Sequence, residues 1–188
     1  MAVRPLPTPD PRELEVHIAP MRRRHLRGVL RIEQQVYPRP WTFGLFLSEI
    51  GQRATRIYVV ARVGGEIVGY AGLFRAVDDG HITTVAVDPA WQRHGIASRM
   101  LLVLARAALE RGCRNLTLEV RMSNSGAQVL YQRFGFLPAG VRKGYYPETG
   151  EDALVMWAND VDTPAYAARL AGIERAVPGR TVVEGDWV

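Results

Sequence analysis

Alternating apolar and polar positions predict seven short strands along the chain. Glycine-containing turns at Gly64-Gly65 and Asp78-Asp79-Gly80 join three consecutive strands, which favours an antiparallel meander in the first half. The predicted strands are Glu13–Ile18, Arg56–Val63, Ile67–Phe74, Ile82–Val87, Leu116–Val120, Phe136–Arg142 and Ala153–Trp157.

Apolar residues that recur every three or four positions predict helices between these strands. Four belong to the main body: Pro20 to Val36, Thr42 to Gly51, Gly95 to Gly112, and Ser123 or Asn124 to Gly135. The third of these lies between the strands Ile82–Val87 and Leu116–Val120. A strand, helix, strand order makes a right-handed crossover, so these two strands are expected to be parallel neighbours.

Length and proline content divide the chain into three segments. A chain of 188 residues is expected to form one domain. Residues 1–13 are proline-rich and predict a disordered leader, residues 14–158 the folded domain, and residues 159–188 a C-terminal tail. Thr163-Pro164 starts a short helix in the tail, which is expected to dock on the body, with docking on a partner as the alternative.

Composition narrows the class of protein. Hydrophobic residues make up 47% of the chain and charged residues 23%, which is typical of a globular domain. The sequence contains neither a membrane-spanning run nor a secretory signal, so a cytoplasmic protein is expected. The single cysteine, Cys113, reads as a small buried hydrophobe, and the four histidines show no zinc-like spacing. A net charge of +5 favours an anionic ligand, although the arginines are scattered.

The turn before the third helix is a candidate anion site. It reads Gln92-Arg93-His94-Gly95-Ile96-Ala97 and follows a strand that ends in Val85-Ala86-Val87. The first amides of a helix lack partners inside the helix, and the helix dipole adds partial positive charge, so a pyrophosphate suits this end. The turn lacks the Gly-Lys-Ser/Thr of a Walker loop. A Gly-x-Ala pattern by itself is also typical of an ordinary tight helix start.

Several motifs taken together resemble the GNAT superfamily of acyl-CoA-dependent N-acetyltransferases. The resemblance covers roughly residues 14–157 and is most similar to the RimI-type family, which acetylates the N-terminal alanine of a small-subunit ribosomal protein. It implies an α/β (α+β) fold whose mostly antiparallel sheet of six to seven strands splays between two central parallel strands, flanked by about four helices. The motifs are Tyr37-Pro38-Arg39-Pro40-Trp41, Gln92-Arg93-His94-Gly95-Ile96-Ala97, Leu118-Glu119-Val120-Arg121-Met122-Ser123-Asn124, Leu130-Tyr131-Gln132-Arg133-Phe134-Gly135-Phe136 and Arg142-Lys143-Gly144-Tyr145-Tyr146-Pro147.

This resemblance implies acetyl-CoA as the acetyl donor and assigns roles to individual residues. Glu119 matches the general base and Tyr131 the general acid, and Asn124 matches a contact to the cofactor arm that also suits a helix cap. The pantetheine is expected along Val85, Ala86 and Val87. The pyrophosphate is expected on the backbone of Arg93, His94, Gly95, Ile96, Ala97 and Ser98. The aromatic residues expected to hold the acceptor are Trp41, Tyr145 and Tyr146.

Side-chain chemistry is consistent with the two catalytic assignments. An N-terminal amine has a pKa near ~8, against about 10.4 for lysine, so a positioned carboxylate deprotonates it at modest cost. Glu119 points away from Leu118 and Val120 on its strand, and so faces the cleft if those two face the core. The alternatives are a solvated strand glutamate and, for Tyr131, a core aromatic residue. Nothing in the sequence suits a covalent acyl intermediate, so direct transfer in a ternary complex is expected.

Three other functions stay open from the sequence. The same fold also acetylates lysine side chains or small amines, because fold does not fix the substrate. A non-catalytic, acyl-CoA-responsive binding module is a further alternative, acting through the tail helix. Direct nucleic-acid binding is disfavoured because no basic cluster is interleaved with aromatic residues. The expected partner is a peptide or protein N-terminus, with no membrane and no bound metal, and the oligomeric state is left open.

Overall fold

A computed structural model describes residues 10–185, which form one mixed sheet with helices on both faces. The strands are β1 (Glu15–Pro20), β2 (Arg56–Val63), β3 (Glu66–Ala76), β4 (Asp79–Val87), β5 (Asn115–Arg121), β6 (Leu137–Tyr146), β7 (Glu151–Ala158) and β8 (Arg180–Val183). The α-helices are α1 (Leu26–Val36), α2 (Phe43–Gly51), α3 (Ile96–Glu110), α4 (Ser125–Arg133) and α5 (Pro164–Ala176). The strand order across the sheet is β6-β7-β5-β4-β3-β2-β1-β8.

The predicted architecture is confirmed, with corrections at its edges. The meander β2-β3-β4 is antiparallel and β4 is parallel to β5. The described residues form eight strands rather than six to seven. The five α-helices are the four predicted for the body and the short helix predicted for the tail. The first helix was placed too early. Pro20 ends β1, and α1 begins only at Leu26, after a single 3₁₀ turn.

Two hydrophobic cores hold the helices against opposite faces of the sheet. The larger core packs α3 against inward-facing strand residues that include Leu116, Leu118 and Val120 of β5. The smaller core packs α1 and α2 on the other face. Since successive strand residues point to opposite faces, Glu119 lies on the face of α1 and α2. The apolar alternation of β5 therefore sets which side of the sheet receives its polar side chains.

The hydrogen-bond ladder between β4 and β5 is short. It joins Asp79–His81 to Asn115–Thr117, and beyond these pairs the two strands separate. On its other edge β4 pairs with β3 along its whole length, with a bulge where Thr83 is the extra residue. A bulge bends its strand and increases its twist. The bend carries the rest of β4 away from β5 and opens a wedge in the middle of the sheet.

The C-terminal tail docks on the body of the same chain. Tyr166, Leu170 and Ile173 of α5 enter the larger core, and β8 adds to the sheet edge parallel to β1. Arg99 on α3 is almost fully buried, and its guanidinium donates to Thr181 Oγ1 and to the Pro178 carbonyl. The sequence predicted that the tail helix docks on the body of the same chain, and the structure confirms this. The sequence did not predict the strand β8. Residues 1–9 of the predicted leader and 186–188 of the tail lie outside the described residues, and residues 10–13 form a turn.

A charged cluster fastens the end of the tail to β1 and β2. His17 contacts Glu184 Oε1 at 2.6 Å and Glu15 Oε1 at 2.9 Å through its two ring nitrogens. Arg62 Nη2 lies 2.5 Å from the other oxygen of Glu184. The hydrogen bonds to Glu184 and then Glu15 raise the pKa of His17 above its ordinary value. The protonated imidazole therefore bridges the two carboxylates.

This cluster predicts that the tail contributes less stability at alkaline pH. A histidine whose pKa is raised in the folded state contributes stability below its unfolded pKa and loses it as the pH rises through the folded value. The paired side chains are partly exposed, so solvent screens their interaction and the effect on the free energy of unfolding is small. When the pH rises from 6 to 9, we expect the free energy of unfolding, measured with urea, to decrease more for the wild type than for His17→Gln. Equal losses in the two proteins would contradict the assignment.

Candidate active site

The wedge between β4 and β5 opens into a cleft of about 1230 Å³. Its walls come from α1, the two strands, the starts of α3 and α4, and the β6–β7 hairpin. All but one of the residues that the sequence predicted for the site line this cleft, His94 being the exception. The lining residues from that prediction are Trp41, Val85, Ala86, Val87, Arg93, Gly95, Ile96, Ala97, Ser98, Glu119, Asn124, Tyr131, Tyr145 and Tyr146.

One wall of the cleft is the free edge of β4. Beyond His81, no strand among residues 10–185 pairs with the backbone of β4 on this edge. The Tyr37 hydroxyl donates to the Val85 carbonyl at 3.0 Å and contacts Thr84 Oγ1 at 3.3 Å. Backbone amides and carbonyls in a cleft need hydrogen-bond partners. An extended ligand with alternating amide donors and acceptors, such as pantetheine, fits this edge.

The turn from Gln92 to Ser98 shapes the anion end of the cleft. Arg93 and Gly95 both have left-handed backbone conformations, with φ of 63° and 75°. This conformation is unfavourable for a non-glycine residue and occurs at functional turns. The turn leads directly into α3, so the unpaired amides at the start of this helix face the cleft together with Arg93. The turn thus has the backbone shape and charge that a pyrophosphate needs.

His94 is the predicted residue that does not line the cleft. Its ring lies within 6.1 Å of Trp91, and its Nδ1 contacts the Gln92 carbonyl at 2.8 Å. The side chain therefore stabilises the turn from outside. The sequence prediction concerned the backbone amide of His94, so the direction of its side chain does not decide that prediction.

Glu119 lies at the base of the wedge and contacts two basic side chains. Its Oε2 is 2.6 Å from His81 Nε2, and its Oε1 is 3.1 Å from Arg142 Nη1. The Glu119 side chain is only 8% exposed. His81 precedes the point where the β4–β5 ladder ends, so the side chains bridge the strands where the backbones no longer do. The prediction of a carboxylate turned into the cleft agrees with this position.

Tyr131 projects from α4 into the other side of the cleft. It is 8% exposed and packs against Phe136 with the ring centroids 5.9 Å apart. Burial raises the pKa of its hydroxyl above the ordinary value. Within residues 10–185, no side chain or backbone group accepts a hydrogen bond from this hydroxyl. The group therefore stays protonated and is free to donate its proton to a ligand.

A buried carboxylate fixes the loop that carries Trp41. Glu33 on α1 is 2% exposed and accepts a hydrogen bond from the Trp41 backbone N–H at 2.8 Å. The Tyr70 hydroxyl donates to the same carboxyl group. Burial raises the pKa of Glu33 to about 7, although the bond from Trp41 opposes this shift. Trp41 also packs on Phe46 at a centroid distance of 5.2 Å, which sets its ring beside the cleft.

Arg121 fixes the hairpin that carries the two candidate tyrosines. Its guanidinium contacts Glu148 at 2.5 Å and Glu151 at 3.2 Å, and lies 3.8 Å from the ring centroid of Tyr146. Cation–π contact and ion pairing both favour one orientation of the ring. Tyr145 packs edge-on against Tyr146 at 5.1 Å. The aromatic side chains predicted to hold an acceptor therefore have defined positions.

Sequence reasoning assigned no individual role to four residues that shape this site: His81, Glu33, Tyr37 and Arg142. His81 lies one residue before a predicted apolar strand, and its spacing from other residues indicated no functional role. The sequence did contain a signal for Glu33, which falls on the buried face of α1. A carboxylate on a buried face needs hydrogen-bond or ion-pair partners. Tyr37 and Arg142 belong to motifs that carry the family resemblance, but no local pattern predicts their contacts, since both act on strands that are distant in the chain.

Comparison with known proteins places these features in a family. The model of the Acetyltransferase (GNAT) family matches residues 26–136. A Bacillus subtilis (strain 168) protein is 36% identical over 137 residues, covering 73% of this chain and 91% of that protein. The ribosomal protein bS18-alanine N-acetyltransferase of Escherichia coli (strain K12) is 35% identical over 133 residues, covering 70% of this chain and 88% of that enzyme.

A solved structure agrees with the sequence comparisons. The crystal structure of the ribosomal-protein-S18-alanine N-acetyltransferase from Escherichia coli superposes with a TM-score of 0.71 at 32% identity. The match covers 77% of this chain and 94% of that one. The tail after residue 158 lies beyond the family-model match, which ends at residue 136.

The turn geometry predicts that Gly95 is required for binding coenzyme A. A Cβ at this position would lie 2.9 Å from Val177 Cγ1 and would force a left-handed conformation on an L-residue. That conformation costs about 1–2 kcal/mol, which corresponds to roughly a tenfold loss where binding requires it. We expect Gly95→Ala to weaken coenzyme A binding at least tenfold by isothermal titration calorimetry.

Gly64→Ala is the matched control for this change. Gly64 has a similar φ of +56°, and a Cβ there would meet nothing within 4 Å. It lies in the β2–β3 turn, away from the cleft. Its variant should bind coenzyme A as the wild type does, and equal affinity in all three proteins would contradict the role of Gly95.

Proposed function

The chain belongs to the acetyltransferase (GNAT) family, and on that premise we propose that it acetylates the N-terminal alanine of ribosomal protein bS18. Acetyl-CoA is the donor in this family. The E. coli relative of this activity is matched along 88% of its length, and the solved E. coli enzyme along 94% of its chain. Both therefore support the activity for the whole catalytic unit.

The observation that carries the proposal is the early end of the β4–β5 ladder. After His81 and Thr117 the strands separate, and the gap connects the anion-binding turn on one side with Glu119 and the aromatic loops on the other. A thioester lying in this gap would present its carbonyl carbon to an amine entering from the aromatic side. Such a gap supports direct transfer between two bound substrates, since the residues proposed for the donor and those proposed for the acceptor line the same cleft.

On the donor side the chain binds and orients. The free edge of β4 at Val85–Val87 is proposed to pair with the pantetheine amides, and the turn at Arg93–Ser98 to hold the pyrophosphate. Asn124 caps α4 through its Oδ1, which accepts from the Ala127 amide at 3.1 Å. This cap sets the start of α4 beside the same edge. Acetyl-CoA, when bound, supplies an activated acyl group and a thiolate leaving group.

On the acceptor side the chain must remove a proton and later supply one. Glu119 is proposed as the carboxylate on which deprotonation of the amine depends, because it lies at the base of the gap. Tyr131 is proposed to protonate the departing thiolate, since its hydroxyl is free and remains protonated. A general acid or base in such a position contributes on the order of 10²–10⁴ in rate.

An N-terminal amine suits this cleft better than a lysine amine. Its lower pKa, near ~8 against about 10.4, leaves a larger neutral fraction at neutral pH. Trp41 and the pair Tyr145–Tyr146 flank the mouth of the cleft and are proposed to hold the first residues of an extended peptide. Their positions are fixed by Glu33 and Arg121 before any peptide binds.

The proposed acceptor predicts a specific pattern of acetylation. We expect a peptide with the N-terminal sequence of bS18 to gain one acetyl group on its α-amine, as located by tandem mass spectrometry. The same peptide with a blocked N-terminus should gain none, even when it contains lysine. Acetylation of the blocked peptide on lysine would instead support the side-chain acetyltransferase alternative.

The proposed acid predicts a loss of turnover in Tyr131→Phe. Removing the hydroxyl leaves the ring packing intact, so we expect kcat to fall on the order of 10²-fold while the KM for acetyl-CoA changes little. Tyr166→Phe is the matched control, because Tyr166 Oη on α5 is also buried and has no hydrogen-bond partner in the described part of the chain, but Tyr166 does not line the cleft. Equal kcat values in the two variants would remove Tyr131 from the mechanism.

A further inference from the structure

Two side chains meet across the wedge just where the sheet stops being hydrogen-bonded. His81 and Thr117 form the last backbone pair of the β4–β5 ladder, and Glu119 is the next residue of β5 on the same face as Thr117. His81 Nε2 and Glu119 Oε2 are 2.6 Å apart. At this distance one proton is shared in a short hydrogen bond, and the Glu119 carboxylate accepts it when the imidazole is neutral.

The contacts leave one basic atom of this cluster without a hydrogen-bond partner among residues 10–185. Both oxygens of Glu119 are engaged, one by His81 and one by Arg142, and the side chain is 8% exposed. The His81 side chain is 31% exposed and lines the cleft. In the part of the chain that the structure describes, His81 Nδ1 has no hydrogen-bond partner. If Nε2 carries the proton given to Glu119, then Nδ1 holds the available lone pair.

We propose that His81 Nδ1 accepts the proton of the acceptor amine, and that Glu119 is a positioning residue that acts through His81. The proposal rests on the proposed acetyl transfer and assigns its deprotonation step to a particular atom. Glu119 fixes the tautomer and orientation of the imidazole and stabilises the imidazolium that forms. This division of roles is the one that a carboxylate and a histidine take in hydrolytic triads.

The surroundings of His81 keep it neutral before the reaction. Burial lowers its pKa below the ordinary value of 6.5, and the positive charges of Arg142 and Arg56 lower it further, while Glu119 opposes them. Tyr145 and Tyr146 also face this cluster from the β6–β7 hairpin, and burial raises the pKa of both, so they are uncharged. A neutral imidazole at pH 7 is able to accept a proton.

The proposed transfer conserves every proton and electron pair. The acceptor ammonium gives one proton to His81 Nδ1, which becomes an imidazolium held by Glu119. The neutral amine nitrogen attacks the thioester carbonyl carbon, the C–N bond forms, and the C–S bond breaks with its electron pair on sulfur. The nitrogen loses its second proton to water, and the thiolate takes a proton from Tyr131, which water restores. His81 then releases its proton to solvent, so the net products are the amide, the free thiol and one proton.

The main test is the pH dependence of kcat in position-81 variants. Gln keeps a donor toward Glu119 but provides no basic nitrogen. We expect the kcat of His81→Gln to be on the order of 10²-fold lower than that of the wild type. The kcat of the wild type should fall as the pH drops through the His81 pKa, and the kcat of His81→Gln should not. His17→Gln is the control, because His17 lies at the far edge of the sheet, and its profile should match the wild type.

A double variant and a rescue experiment separate the two roles. If the pair acts as a unit, His81→Gln with Glu119→Gln should lose little more activity than His81→Gln alone. Added imidazole should restore part of the activity of His81→Ala and none of Glu119→Ala. The proposal would be overturned if His81→Gln kept the wild-type kcat and the wild-type fall of kcat at low pH while Glu119→Gln lost most of its activity. Glu119 would then be the base.

Ring ¹⁵N NMR of the wild type reports the protonation state of His81 directly. It requires neither turnover nor a folded variant. We expect His81 to be neutral at pH 7 with the proton on Nε2, and its NMR titration to coincide with the inflection in kcat. A cationic ring at pH 7, or a proton on Nδ1, would overturn the proposal. These outcomes leave the proposed function intact, whereas failure of the wild type to acetylate any free peptide N-terminus would remove that function first.

Discussion

The early end of the hydrogen-bond ladder between β4 and β5 is the constraint on which the rest of the site depends. Only Asp79–His81 pair with Asn115–Thr117, and the bulge at Thr83 bends β4 away beyond them. Backbone groups left without partners cost about 1–3 kcal/mol each when buried, so a gap inside a sheet persists only as a solvated cleft or a ligand site. Parallel strands need a crossover helix, and this helix must leave from the carboxyl end of β4. The amides at the start of α3 therefore stand beside the gap as a consequence of topology.

The polar side chains around this gap hold one another in place. Glu119 is paired with His81 and Arg142, Glu33 binds the Trp41 amide, and Arg121 holds the hairpin of Tyr145 and Tyr146. Buried charges are tolerated only when they are paired and hydrogen-bonded, so each contact also removes a cost of folding. The same contacts fix the catalytic and aromatic groups before the substrates arrive, which lowers the cost of ordering them during the reaction. Stability and preorganisation here come from the same hydrogen bonds.

Local patterns predicted the elements of the body well, because caps and alternation act between near neighbours. As expected, α2, α4 and α5 are capped by Thr42, Asn124 and Thr163. Each capping side chain accepts a hydrogen bond from a backbone amide in the first turn of its helix. Pro20 was misread as a helix start because its fixed φ suits the end of an extended strand as well. The strand β8 was missed because four residues of moderate β-propensity form a strand only where another edge receives them. Its partner β1 is more than 160 residues away in the chain.

The sequence by itself determined the order of strands and helices along the main body, the face of β5 that carries Glu119, and the family to which the motifs belong. Those properties follow from side-chain periodicity and from interactions within one turn or one strand. Only the tertiary structure decided that His81 meets Glu119, that Arg142 meets it from the other side, and that the tail adds a strand to the sheet. These contacts join residues 23 to 167 positions apart. They depend on strand register and on the width of the gap, and no local pattern encodes either quantity.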